Sequence, residues 1–462
     1  MINNYLFDYY SKYKKMSNKF FTGNMFFAII FCAAALIVCT GNEVKGAVAF
    51  VILICALLVF CEDLLATTLP FLLVSVFVTR MYDSYNVFIG YKYCIIPIVI
   101  ALIFHFTVYR KKISIGPSFW GICAVAVAVT FGGLFKVSAA DYFKAVNLYY
   151  VIGLGIGMVL IYLLIKSQFI KRDYYDINNK FLAVLYIMGA FAAFIVLRAY
   201  VVNINAIIEK KTILNYINSM FISTNNISTF LMFALPIPFY FSLRNKTHLI
   251  SGYIFFLCLL LSGSRAAMLM GSVEFVLCLA YICIFDIKHR VLNCCISVAT
   301  LSIVAYLLYR WIWFFGSTSI FSFNLNNEKR FDLFWRSVDD FKSNPVFGRG
   351  MTYVGNNDIY DPKMFAMNWY HLFPAQVIGS FGCLGVVSYL VSIFGRVAII
   401  LKKAEPYVWV LALSYAGIFL MTIVNPGEFC PVPYEMLTVM LFIFAEQGMS
   451  PKLKNLFKSR EN

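Results

Sequence analysis

Along this chain apolar runs alternate with short polar intervals from end to end, and one polar interval is far longer than the rest. The runs fall at 23–41, 46–61, 64–79, 93–109, 116–135, 147–165, 181–198, 228–243, 249–264, 266–285, 291–309, 372–395, 407–424 and 433–447. A bilayer core about 30 Å thick takes roughly 20 helical residues to cross. The pattern therefore predicts an all-α polytopic membrane protein with about 12–14 transmembrane helices, the shorter runs reading as re-entrant or broken segments. The long interval, Arg310–His371, is predicted to be one large loop. Within it Phe331, Phe334, Trp335, Val338 and Phe341 recur at spacings of three and four, the stripe of an amphipathic helix. A proline and glycine break follows, S-N-P-V-F-G-R-G from Ser343 to Gly350. N-W-Y-H, Asn368 to His371, then meets the edge of the next run.

Composition closes off other classes. Hydrophobic residues make up 61% of the chain and charged residues 13%, and mean hydropathy is +0.79. No soluble domain hides that much apolar surface, so residues 1–462 read as a single membrane domain. A net charge of +16 would suit a nucleic-acid binder if the positives formed one stripe. They sit instead in short clusters: Lys12/Lys14/Lys15/Lys19, Arg110/Lys111/Lys112, Lys166/Lys171/Arg172/Lys180, Arg244/Lys246, Lys288/Arg290, Arg396/Lys402/Lys403 and Lys452/Lys454/Lys458/Arg460. That is the positive-inside signature. It puts both termini in the cytoplasm and Arg310–His371 in the extracytoplasmic space. Glu62-Asp63, a cytoplasmic turn with no positive charge, runs against it. The basic start precedes a run too long for a cleavable signal core. Most of the 13 cysteines lie inside apolar runs without metal-like spacing and read as free, small apolar residues.

Chemistry concentrates on the extracytoplasmic side. L-L-L-S-G-S-R-A-A-M-L, Leu259 to Leu269, sets Arg265 between two apolar runs, where a guanidinium left in hydrocarbon costs about 2.5 kcal/mol or more. Its fork pairs well with phosphate oxygens, and Ser264 and Gly263 allow close approach of backbone. The competing reading is an arginine that snorkels to water. Arg330, Arg336 and Arg349 supply further guanidinium groups on the loop, or form a solvated face. His371 is the one histidine of four that the topology places outside, and an imidazole can take a proton from an attacking hydroxyl. Glu428 lies in a proline-broken turn, Asn425–Pro433, and is a candidate sugar contact. Asp332, Asp339, Asp340, Asp358 and Asp361 are scattered, and adjacent helical carboxylates point apart, so no metal site is predicted. Glu274 is the one plausible mid-membrane charge.

Taken in order, S-G-S-R at Ser262–Arg265, R-F-D-L-F-W at Arg330–Trp335, N-P-V-F-G-R-G at Asn344–Gly350, and His371 followed by Gly382 and Gly385 resemble a known pattern. It is that of the O-antigen ligases and Wzy-type polysaccharide polymerases, over roughly residues 225–389. The sequence departs from that pattern at Leu372, where the family carries a small polar residue, and the N-terminal half matches only in its spans. The resemblance implies a GT-C-like glycosyltransferase of the bacterial plasma membrane that needs no cofactor and no metal. Arg265 and Arg330 would hold the diphosphate of an undecaprenyl-diphosphate-linked oligosaccharide. His371 would orient or deprotonate the acceptor hydroxyl, with Arg336, Arg349, Glu428 and Ser264 as accessory positions. The polymerase reading joins O-antigen or capsule repeat units, with a chain-length regulator protein as a further partner. The ligase reading moves a finished glycan to an acceptor such as the lipid A core of lipopolysaccharide. A flippase or transporter is the reading from another class. Charges gathered at one face, rather than along the midplane, favour the enzyme. The lipid bilayer is the expected surrounding; nucleic acid is not an expected partner.

Overall fold

The computed structural model describes residues 16–78, 91–109, 112–170, 177–205, 224–314, 328–351, 369–403, 405–424 and 427–448. Among these the regular structure is entirely helical. Seven helices among the described residues are long and apolar enough to cross a membrane: Glu43–Phe60, Asn147–Lys166, Ile177–Val202, Ala266–Phe285, Ile287–Tyr306, Phe373–Lys402 and Pro406–Ile423. Asn24–Thr40, Leu65–Val78, Ile95–Tyr109, Ser118–Phe131 and His248–Leu261 are shorter and equally apolar. The chain is a helical membrane protein.

Several runs that look uniform in sequence are broken in space. The run at 228–243 divides into Thr224–Ala234 and Pro236–Ser242, because Pro236 has no N–H to continue the ladder. Gly155 leaves helical geometry inside the Asn147–Lys166 span. Phe373–Lys402 is broken at Gly382, whose φ of 60° and ψ of −151° belong to a region open almost only to glycine.

The described residues gather into two compact units. The first takes residues 1–113, 167–241 and 245–268. Its centre is Ile177–Val202, which packs against Leu65–Val78, Thr224–Ala234 and His248–Leu261. Phe181, Leu185, Met188 and Phe191 are fully buried along it. Polar contacts also join distant parts of its chain: the Tyr186 hydroxyl donates to Ser251 Oγ at 2.6 Å and Lys180 Nζ to Thr22 Oγ1 at 2.7 Å.

The second unit takes residues 114–166, 242–244 and 269–462. Phe373–Lys402 is its axis, packed on Ser118–Phe131 and on Glu328–Ser343. Glu446 pins three helix ends. Its carboxylate accepts from Lys166 Nζ at 2.5 Å, from Tyr162 at 3.0 Å, and from the N–H and Oγ of Ser118 at 2.5 Å each. Its backbone carbonyl accepts from Lys403 Nζ. A carboxylate this deeply buried is tolerable because every lone-pair direction has a donor.

The amphipathic helix forms as Glu328–Ser343, but its buried face is not the aromatic stripe. Leu333, Ser337 and Asp340 are buried, whereas Phe331 and Trp335 are 62% and 61% exposed. The stripe argument assumes water on the far side. Beside a bilayer, aromatic rings are stable facing outward at the interface, and here the helix docks through a row that carries polar atoms.

Candidate functional site

The break at Gly382 creates the site. It leaves the last carbonyls of Phe373–Phe381 and the first N–H groups of the following half without intrahelical partners. The Asn344–Gly350 turn supplies both. Arg349 N–H and Gly350 N–H donate to the carbonyls of Gly379 and Ser380 at 2.8 Å each. In the other direction, Cys383 N–H donates to Pro345 O at 2.8 Å and Leu384 N–H to Val346 O at 3.1 Å. Such close backbone approach needs glycine on both sides. A Cβ on Gly348 would lie 2.5 Å from the Ser380 carbonyl carbon, and one on Gly382 would lie 2.5 Å from Pro345 O. A third segment joins them: Gly133 N–H donates to Phe347 O at 2.8 Å, and Asn344 Nδ2 donates to Leu134 O at 2.8 Å. The proline-glycine turn and the two glycines after His371, separate motifs in sequence, are thus one interlocked piece.

Side chains complete the join. Asp340, buried on the amphipathic helix, accepts a hydrogen bond from the Tyr370 hydroxyl at 2.6 Å and pairs with Arg349 Nε at 3.4 Å. Tyr370 N–H donates to Gln376 Oε1 at 3.0 Å, and Gln376 Nε2 donates to Ser380 Oγ at 2.9 Å. The Tyr370 ring lies where a Cβ on Gly379 would stand, 2.6 Å away. On either side, Trp369 packs edge-on against Tyr150 with centroids 5.7 Å apart, and Phe373 packs on Tyr389 and Phe429 at 5.6 Å each. His371 sits between these anchors, half-buried, with φ at 50°. Left-handed backbone is uncommon for a residue with a side chain, and it persists where its surroundings fix it.

The sequence-predicted positions divide as follows. Arg349 and the residue before His371 meet at one carboxylate, since Arg349 shares Asp340 with Tyr370; Arg336 is one turn before Asp340 on the same helix. Arg330 opens that same helix, and Arg265 opens Arg265–Phe285; the side chains of both fall outside the described residues, as do Asp358 and Asp361. Ser264 belongs to the first unit, where its hydroxyl donates to Asn225 Oδ1 at 2.6 Å and accepts from Ala267 N–H at 3.2 Å. It caps the helix that Arg265 begins. On an exposed edge Asp141 pairs with Lys144 at 2.6 Å, and hydrogen bonding to Lys144 holds its carboxyl below the usual carboxylate range.

Glu428 is turned inward. Its carboxylate receives Arg396 Nη1 at 3.1 Å to each oxygen, while Arg396 Nη2 donates to Glu435 Oε1 at 2.9 Å and Nη1 donates to the Tyr415 hydroxyl at 3.0 Å. The guanidinium also stacks over the Phe442 ring, 5.3 Å from its centroid. In sequence Arg396 counts as one of a cluster of loop charges; in space it is buried and holds the Gly427–Glu435 segment against the broken helix. Tyr370, Asp340 and Gln376 were also missed in sequence. The one signal for Tyr370 was its place beside His371, and nothing in spacing singled out Asp340 from its neighbour Asp339.

Fold and site together define a helical membrane protein whose polar side chains are gathered on a broken helix. No protein family, curated protein or solved structure matches the chain.

Proposed function

We propose that this protein is a polysaccharide polymerase of O-antigen or capsule type, joining undecaprenyl-diphosphate-linked repeat units at the outer face of a bacterial plasma membrane. The observation that carries this reading is the fixed presentation of His371. It has a left-handed backbone, and the buried Tyr370 before it is tied to Asp340, the carboxylate that also pairs with Arg349. In the reaction the acceptor hydroxyl attacks the anomeric carbon of the donor sugar. The bond from that carbon to the diphosphate breaks, the hydroxyl proton passes to the imidazole, and undecaprenyl diphosphate leaves with the bonding pair. Arg265 and Arg330 neutralise the leaving diphosphate, in the manner of preorganised electrostatic stabilisation. Histidine is suited to the proton step because its unperturbed pKa is near neutral.

The test is purified protein given undecaprenyl-diphosphate-linked repeat units alone, with EDTA present, and read on a gel. A ladder of longer lipid-linked chains supports the polymerase. Transfer only after a lipid acceptor is added identifies a ligase using the same site. Movement of the lipid-linked substrate across a vesicle membrane without transfer identifies a transporter and overturns the enzyme reading.

A further inference from the structure

Glu274 sits midway along the Ala266–Phe285 span with both carboxyl oxygens buried and neither hydrogen-bonded, the one acidic side chain among the described residues of which this is true. Its helix runs antiparallel to Pro406–Val424. The Tyr281 hydroxyl donates to Pro406 O at 2.9 Å, and further along Gly417 faces the carboxyl so closely that a Cβ there would stand 2.4 Å from Glu274 Oε1. The packing thus leaves a slot for the group and supplies no donor to it.

Elsewhere this unit treats buried carboxylates differently. Glu446 receives Lys166, Tyr162 and Ser118, and Glu428 receives Arg396. Each of those two faces a cationic side chain and further donors. Beside Glu274 the titratable neighbour is Cys278, one turn along the same helix, and no charged side chain among the described residues acts on the carboxyl. A carboxylate without donors in an apolar interior does not stay ionised. Ser414, one turn before Gly417 on its helix, is a second fully buried polar group, and its Oγ has no hydrogen-bond partner among the described residues. Tyr407, two turns before Ser414, continues that helix face towards the Pro406 end.

We propose that Glu274 is a proton-binding site within the membrane, carrying a proton in this structure and exchanging it by way of the Ser414 and Tyr407 face. The site uses none of the residues around His371 and does not rest on the glycosyl-transfer reading. A proton bound and released there gives the protein a means of coupling a conformational step to the proton gradient.

Infrared difference spectroscopy on the full chain in liposomes tests this directly. The carbonyl stretch of a protonated carboxylic acid is distinct from that of a carboxylate, and Glu274→Gln isolates the contribution of this residue from Glu428 and Glu435. The expected result is a protonated-acid band in the wild type that disappears in Glu274→Gln and shifts when the liposomes are moved into D2O. Glu274→Asp, which keeps the acid, should displace the band rather than abolish it, and serves if Glu274→Gln does not fold. Absence of the band means an ionised group and overturns the proposal. A band that is present but indifferent to D2O means a locked structural acid and overturns it equally.

Discussion

Cys383 donates its backbone N–H to the carbonyl of Pro345 at 2.8 Å. This bond ties the turn that follows the amphipathic helix to the first residue after a helix break. With its reciprocal partners it makes the position of His371 depend on two glycines distant in sequence.

Gly382→Ala and Gly348→Ala should each unlock that join. Gly382 has φ 60° and ψ −151°, and Gly348 has φ 62°. The backbone alone makes alanine unfavourable by about 1–3 kcal/mol at a position of the first kind. Collision with Pro345 O or with the Ser380 backbone adds to that. Thermal unfolding in detergent, followed by size-exclusion fluorescence, should show both variants melting well below wild type. Gly395→Ala, where a Cβ meets nothing within 4 Å, should behave as wild type.

Asp340 and Tyr370 should act as one unit. Tyr370→Phe removes a 2.6 Å hydrogen bond to a buried carboxylate, and Asp340→Asn removes the charge that Arg349 pairs with. Each should cost about 1–3 kcal/mol. The double variant should cost less than the sum of the two, because neither interaction remains to be lost twice. Denaturant titrations of the four proteins in the cycle give the coupling directly; strict additivity would mean that the two side chains do not interact.

The Arg396 cluster predicts an asymmetry. Arg396→Ala leaves two buried carboxylates without their guanidinium and should destabilise by about 3–5 kcal/mol. Glu435→Gln should be far milder, because one guanidinium serves two carboxylates and Glu435 Oε2 has no hydrogen-bond partner in any case. Equal losses in the two variants, read by thermal melting, would contradict this account of the charge balance.

Much of the helical pattern was legible in the sequence, because span-length apolar runs leave few alternatives in a bilayer. The runs at 266–285 and 407–424 correspond to Arg265–Phe285 and Pro406–Val424 almost residue for residue. The breaks were less legible. Gly382 stands in an apolar run like other glycines, and only the docking of Pro345 and Val346 makes its conformation necessary. The stripe in Glu328–Ser343 told of a helix but not of the face it buries, since an apolar stripe is a reliable inward face only when water is the solvent. Arg396 and Glu428 were read as two loop charges because pairing across 32 residues of chain leaves no local trace. The gathering of Arg349, Asp340 and Tyr370 next to His371 likewise depends on tertiary contacts that no spacing rule encodes.

The central claim is that His371 takes the acceptor proton in glycosyl transfer, and the most direct measurement compares wild type with His371→Ala for ladder formation from lipid-linked repeat units at equal amounts of folded protein. The account predicts loss of about 100-fold or more in rate, the range expected for removal of a positioned general base, with the melting temperature little changed. A His371→Ala protein that builds the ladder at the wild-type rate would contradict it.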